Sequence, residues 1–402
     1  MKRSIYDLAI LGGEPAFREK LHVGRPNVGN RERFLQLISE ALDRRWLSND
    51  GPLVKQLESR IAEMLGVKHV IAVSNGTLGL QLAIWALRLR GEVIVPSFTF
   101  VATAHAVAWQ GALPVFVDIR RDGYDLDPEQ VEKAITPKTT GIIAVHVYGR
   151  PCDVEGLNRV AKKHGLRLLF DAAHAFGCSY KGMMIGRFGD AEVLSFHATK
   201  FFNTFEGGAV VTDDDNLAEA LRLARNFGFA GYDKVVALGI NGKMNEAAAA
   251  MGLANLESLD DFVSKNRSNY HLYREYLAGI PGLRLMEYNE EERCNYQYVI
   301  LEIDPEVAGI SRDVMHRILW AENVLARRYF YPGCHKLEPY QSWPETTRYP
   351  LCNTERAAER VLALPTGTDV TLEQIRTICD IIRFAVMNAK DLVRKLTAVE
   401  PL

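Results

Sequence analysis

HVIAVSNGTLGLQLAIWAL, residues 69–87, reads as a β-strand that turns at once into a helix. HVIAV is a short apolar, β-branched run, SNGT is made of turn and cap residues, and the remainder repeats apolar residues at helical spacing. Outward from this unit the alternation continues. EVIVPS (92–97), LPVFVDI (113–119), GIIAVHVYG (141–149), LRLLFDA (166–172), AEVLSFH (191–197) and GAVVTDD (208–214) are further strand-like runs. Between them lie helical patterns such as Asp153–His164, and a helix opened by Asp127-Pro128, with a cap followed by proline at the first helical position. Apolar strands alternating with helices predict a large α/β domain with a mostly parallel sheet, and the loops that follow its strands gather along one rim.

After Asn245 the pattern changes to one long helical stretch, EAAAAMGLANLESLDDFVSKNRSNYHLYREYLAGI, closed by Pro281-Gly282. A strand at Tyr296–Ile303, helices at Ser311–Asn323 and Leu372–Asn388, and loops rich in proline and aromatics predict a smaller C-terminal α+β domain. The expected division is residues 1–250 and 251–402. Two domains suit 402 residues, because single cores stop growing at roughly 250–300 residues. A hydrophobic fraction of 48%, 24% charged residues and a net charge of −2 describe an ordinary globular chain, with no electrostatic reason to bind nucleic acid or an acidic membrane. The opening MKRSIYDLAILGGEPAF does not read as a secretory signal, and no run has the roughly 20 apolar residues of a membrane span. The six cysteines have neither zinc-like nor disulfide-framework spacing, so the expectation is a cytoplasmic protein with reduced thiols and no metal.

The chemistry concentrates in SFHATKFFNTFEGGAVV, residues 195–211. A lysine at the end of an apolar strand, followed by aromatics and a Gly-Gly that starts the next strand, is held indoors. Desolvation there disfavours its charged form and frees Lys200 as an amine nucleophile toward a carbonyl. A solitary lysine more often snorkels to the surface; its companions reverse that. Asp171 follows the strand LRLLF, at the end where open α/β sheets bind ligands, and can pair with a protonated ring nitrogen. The SNGT turn, at a helix N-terminus, presents backbone N–H groups and a hydroxyl to an anion such as a phosphate. Phe98 or Phe100, in VPSFTFVAT, can offer a flat face to a ring.

With these segments in view, the chain resembles the DegT/DnrJ/EryC1/StrS sugar aminotransferases along nearly its whole length. The likeness is carried by SNGTLGLQLA, VPSFTFVATAHAV, FDAAHAFG, SFHATK…FEGG, GINGKMNEAAAAMGL and LALPTG. It implies a fold-type-I, aspartate aminotransferase-like architecture with pyridoxal 5′-phosphate as cofactor. By the same resemblance Lys200 forms the Schiff base and shuttles the proton, Asp171 pairs with the pyridine nitrogen, Phe100 stacks on the ring, and His174 lies beside the ring and its phenolic oxygen. Gly76, Thr77 and Ser195 hold the phosphate, and Asn241 reaches the neighbouring subunit's cofactor, so a homodimer with shared active sites is implied.

The opening LGGEPAF…RWLSNDGPLVKQLE and the tail ARRYFYPGCHKLEPY…LALPTGT resemble the branch of the family that aminates C4 of dTDP-4-keto-6-deoxy-D-glucose with L-glutamate as donor. In that reading Tyr329, Tyr331 and His335 either line the sugar-nucleotide pocket or pack between the domains. Rival readings are the same chemistry on a 3-keto sugar, on a GDP-linked sugar of the perosamine type, or with delivery to the opposite face. A sugar dehydratase of the same fold is disfavoured because those enzymes carry histidine in place of Lys200. A non-catalytic, cofactor-binding accessory protein is disfavoured because Lys200 and Asp171 are both in place.

Overall fold

The computed structural model describes residues 2–399. Seven strands form the central sheet: β1 (His69–Val73), β2 (Glu92–Pro96), β3 (Leu113–Val117), β4 (Thr139–Val145), β5 (Arg167–Asp171), β6 (Ala191–Ser195) and β7 (Gly208–Thr212). They lie in the order β1-β7-β6-β5-β4-β2-β3, and β7 alone runs against its neighbours. Each run predicted from the sequence is a strand here. Alternate residues feed opposite faces. Val93, Val95, Ile143 and Val193 enter one apolar cluster, whereas Ile94, Ile142, Ala144 and Phe170 enter another. Burial on both faces is what makes these strands continuously apolar rather than alternating.

Helices α1 (Arg31–Arg44), α2 (Pro52–Leu65), α3 (Gly76–Ala86), α4 (Ala102–Trp109) and α5 (Glu246–Leu256) pack around the sheet, and α6 (Leu259–Leu277) follows. The Glu246 carboxylate is fully buried and accepts from the N–H groups of Leu53 and Val54, at 3.0 and 2.9 Å. It therefore neutralises the positive end of α2 from inside the protein. Gly51 leaves room for it, since a Cβ there would lie 2.5 Å from the carboxylate carbon.

The long helix expected after Asn245 is two helices. The Ser258 amide turns back to the Asn255 carbonyl at 3.1 Å, and the backbone at Ser258 leaves helical geometry. The division at residue 250 falls within α5, whose Ala248, Ala249 and Ala250 pack in the large-domain core together with Leu259 and Phe262 of α6. At the other end of the chain, Leu8 and Leu21 belong to the C-terminal core.

That C-terminal unit has a three-stranded antiparallel sheet of β8 (Leu283–Leu285), β9 (Val299–Ile303) and β10 (Val361–Leu364), ordered β8-β9-β10. It is covered by α6, α7 (Arg312–Ala321) and α8 (Leu372–Met387). Among the described residues no helix is long and apolar enough to cross a membrane.

Candidate active site

The loops that follow β1, β2, β5 and β6 open on one cavity of about 730 Å³, at the rim expected for a ligand site in an α/β sheet. Asp171 closes β5 and is 5% exposed. Its carboxylate accepts from the Thr103 hydroxyl at 2.8 Å and from the Ala173 N–H at 3.1 Å. Desolvation raises its pKa, while these two hydrogen bonds and the positive charge of Lys200 oppose the rise. A buried carboxylate of this kind calls for a cation in the cavity in front of it.

Lys200 lies on the loop after β6 and points into the same cavity, so its side chain is only partly covered by protein. The loop is a tight turn in which the Lys200 N–H donates to the His197 carbonyl at 2.8 Å. Desolvation brings the amine down from 10.5 to about 8, with the Asp171 charge pulling the other way. Lys200 is thus neutral often enough near neutral pH to act as a nucleophile.

His174 is buried three residues beyond Asp171, and the Tyr148 N–H donates to its Nδ1 at 3.2 Å. Burial and the Lys200 charge hold it well below the usual imidazole range. The ring is accordingly neutral, with its proton on Nε2.

Gly76, Thr77 and Ser195 come together at the N-terminus of α3. The Asn75 side chain caps that helix by accepting from the Leu78 N–H at 2.8 Å, which leaves the amides around Gly76 and Thr77 facing the cavity. Close approach demands small residues here. A Cβ on Gly76 would stand 3.0 Å from Ser195 Cβ, and one on Gly208 would stand 2.8 Å from the Gly76 nitrogen. Phe100 lines the cavity from the loop after β2 and remains 56% exposed, with no ring contact to another aromatic among the described residues.

These groups fit pyridoxal phosphate: a buried carboxylate for a cationic ring nitrogen, an amine of lowered pKa for its carbonyl, an imidazole N–H, an exposed aromatic ring, and an anion cradle at a helix N-terminus. The cavity is of a size that admits a cofactor with part of a substrate.

Not every expected residue is here. Tyr329 lines the cavity, but Tyr331 and His335 do not. The Tyr331 ring sits between the guanidinium groups of Arg312 and Arg328, at 5.0 and 4.6 Å. His335 docks its segment on the end of β2, with Nδ1 2.7 Å from the Ser97 hydroxyl and Nε2 3.3 Å from Glu355. For these two, packing is what the structure displays. Asn241 is exposed and outside the cavity of its own chain.

Tyr298 and Phe330, which no local sequence pattern singles out, join Tyr329 as an aromatic wall facing His174. The ring centroids of Tyr298 and Phe330 lie 4.7 and 5.9 Å from that of His174. Gln81 on α3 also lines the cavity, as does the pair formed by His197 and Glu206, 3.4 Å apart. Glu206 and His197 stood inside the quoted lysine segment, and their polarity among aromatics was the available signal.

Residues 29–383 match the DegT/DnrJ/EryC1/StrS aminotransferase family. A dTDP-4-amino-4,6-dideoxy-D-glucose transaminase of Escherichia coli is 38% identical over 359 residues, covering 87% of this chain and 95% of its own. A GDP-perosamine synthase of Vibrio cholerae is 34% identical over 371 residues, covering 90% and 98%. The crystal structure of DesI in the presence of its TDP-sugar product superposes with a TM-score of 0.94 at 49% identity, over 98% of this chain and 99% of that one.

Proposed function

The chain belongs to the DegT/DnrJ/EryC1/StrS aminotransferase family, and from that premise we infer that it is a pyridoxal-phosphate enzyme moving the amino group of L-glutamate to C4 of dTDP-4-keto-6-deoxy-D-glucose. The products are 2-oxoglutarate and dTDP-4-amino-4,6-dideoxy-D-glucose. The observation that carries this reading is the meeting of Lys200 and Asp171 in one cavity at the sheet's C-terminal rim. The choice of sugar is supported by the transaminase relatives and by the likeness to DesI.

Bound there, pyridoxal phosphate supplies an electron sink for the carbanion left when a proton leaves the carbon bearing nitrogen. Asp171 keeps the ring nitrogen protonated by offering a buried negative charge. Lys200 would hold the cofactor through its Nζ, and as a free amine it would take the proton from glutamate Cα in the first half of the cycle and return a proton to C4 of the sugar in the second. His174 Nε2–H is available to donate to an oxygen on the ring. Gly76, Thr77 and Ser195 would bind the phosphate, Phe100 would cover one face of the ring, and Tyr298, Tyr329 and Phe330 would shield the reacting atoms from water.

The protein works as a homodimer in this reading. An exposed apolar run leads up to Asn241: Tyr232 is 100% exposed, Leu238 75% and Val235 60%. A second copy is the occupant that covers such a face and brings Asn241 to the neighbouring cofactor's phosphate. Its place is the cytoplasm, where six free cysteines, five of them buried, stay reduced.

A GDP-linked 4-keto sugar is the second reading, favoured by the 34% identity to a GDP-perosamine synthase. Purified enzyme incubated with L-glutamate and either keto sugar separates the two. The expected result is conversion of the dTDP sugar with kcat/KM at least about a hundredfold above that of the GDP sugar, as when a base-reading site leaves polar groups unpaired against the wrong base. Preference for the GDP sugar overturns the assignment of substrate and leaves the chemistry standing.

A further inference from the structure

Three buried asparagines outside the cavity converge on the loop that carries Lys200. Asn27, Asn203 and Asn255 are 2%, 1% and 0% exposed. Asn27 lies on an N-terminal strap that leaves the bridge between Leu21–His22 and Val324–Leu325 of the C-terminal unit and crosses the lysine loop. The crossing is close at Gly24, where a Cβ would be 3.0 Å from the Thr199 carbonyl oxygen.

The Asn27 carboxamide uses both of its ends. Its Nδ2 donates to the carbonyl of Phe201, the residue directly after Lys200, at 2.8 Å. Its Oδ1 accepts from the N–H and the hydroxyl of Thr368, at 3.0 and 2.9 Å, on the loop between β10 and α8. Asn203 Nδ2 donates back to the Asn27 carbonyl at 2.8 Å, and Asn255 Nδ2 donates to the Asn203 carbonyl at 2.8 Å while its Oδ1 accepts from the Gly29 N–H at 2.9 Å. The lysine loop itself closes through the Thr204 N–H to the Phe196 carbonyl at 2.9 Å. With water excluded, a group in such a set that loses its partner is left unsatisfied, so the loop has one favoured position.

We propose that Asn27 is a positioning residue for the transamination: its carboxamide clasps the Lys200 loop with one end and the C-terminal unit with the other, and so fixes where the Lys200 amine stands. This rests on Lys200 being the reacting amine. A carboxamide suits the task because it donates and accepts from one rigid plane, which neither a carboxylate nor a hydroxymethyl side chain reproduces at both ends.

Asn27→Asp keeps the acceptor toward Thr368 and sets an oxygen against the Phe201 carbonyl. In the full-length enzyme, amides of residues 199–205 then exchange hydrogen about tenfold faster or more, while those of β4 and β5 keep their rates. Displacement of a reacting group lowers kcat by about ten- to a hundredfold, with KM for glutamate changed less than about threefold. Thr368→Val removes only the hydroxyl arm and shifts the same two readouts in the same direction by about threefold. Normal exchange at 199–205 and normal kcat, with a lowered melting temperature only, make Asn27 a scaffold residue and overturn the proposal. Should Asn27→Asp not fold, the Thr368→Val values decide, and unchanged exchange and kcat there are the overturning result. Exchange is read without substrate, so an error in the assigned sugar does not imitate either outcome.

Discussion

Lys200→Ala folds and loses turnover by about four orders of magnitude or more, because in the proposed cycle both the covalent anchor and the proton-transfer base are removed at once. The visible absorption of the lysine-bound cofactor is absent in the variant, while circular dichroism and melting stay close to those of the parent. The lowered pKa makes a second, independent statement. An ordinary lysine at 10.5 is almost wholly protonated at neutral pH, whereas the Lys200 amine is brought to about 8. The active species is the neutral amine, so its fraction grows as pH rises. The single-turnover rate of proton transfer therefore climbs between about pH 7 and about pH 9 and levels off above, instead of climbing toward pH 10.5. Stopped-flow measurement across that range checks both the sign and the midpoint.

Asp171→Asn is the next largest effect. The variant keeps the shape of the side chain and an oxygen for the Thr103 hydroxyl, so the fold is retained. It removes the buried charge that, in the proposed cycle, faces a protonated ring nitrogen. Loss of one preorganised electrostatic group of this kind costs about a hundred- to a thousandfold in kcat. A change in pH dependence accompanies it. The Asp171 charge supports the protonated form of Lys200 and opposes the desolvation that lowers its pKa. Without that charge the midpoint moves to lower pH. A variant that loses activity with its midpoint unmoved, or moved upward, contradicts the coupling between the two residues.

The sheet was legible because each of its strands is buried on both faces, and the resulting apolar runs stand out from the helices between them. Lys200 and Asp171 were legible for a related reason. A lone lysine there reads as snorkelling to the surface, but a lysine and an aspartate at the ends of two apolar strands, together with the SNGT turn, single out one site. Residues whose role depends on distant partners were not legible. Nothing local marks Leu8 and Leu21 as part of a core built mostly from residues after 270, or Asn27 as the partner of Phe201 and Thr368. Tyr298 stands one residue before β9 and reads as the start of an ordinary half-buried strand until the sheet turns it toward His174. The break at Ser258 was hidden because apolar spacing continues across it, while the Asn255 side chain beside it bonds to the strap and the lysine loop. For Tyr331 and His335 the sequence left pocket lining and packing between the domains both open. Aromatic and imidazole side chains in a proline-rich tail suggest a ligand pocket, yet two arginines and the Ser97–Glu355 pair satisfy them away from the cavity.

In the proposed cycle Lys200 and Asp171 together carry one amine from an amino acid to a keto sugar. The most direct test is the absorption spectrum of the purified protein with pyridoxal phosphate, recorded before and after L-glutamate and again after dTDP-4-keto-6-deoxy-D-glucose. The expected result is a visible band from the lysine-bound cofactor, its loss with glutamate, and its return with the keto sugar. A protein that forms no such band, or whose band glutamate leaves unchanged, contradicts it.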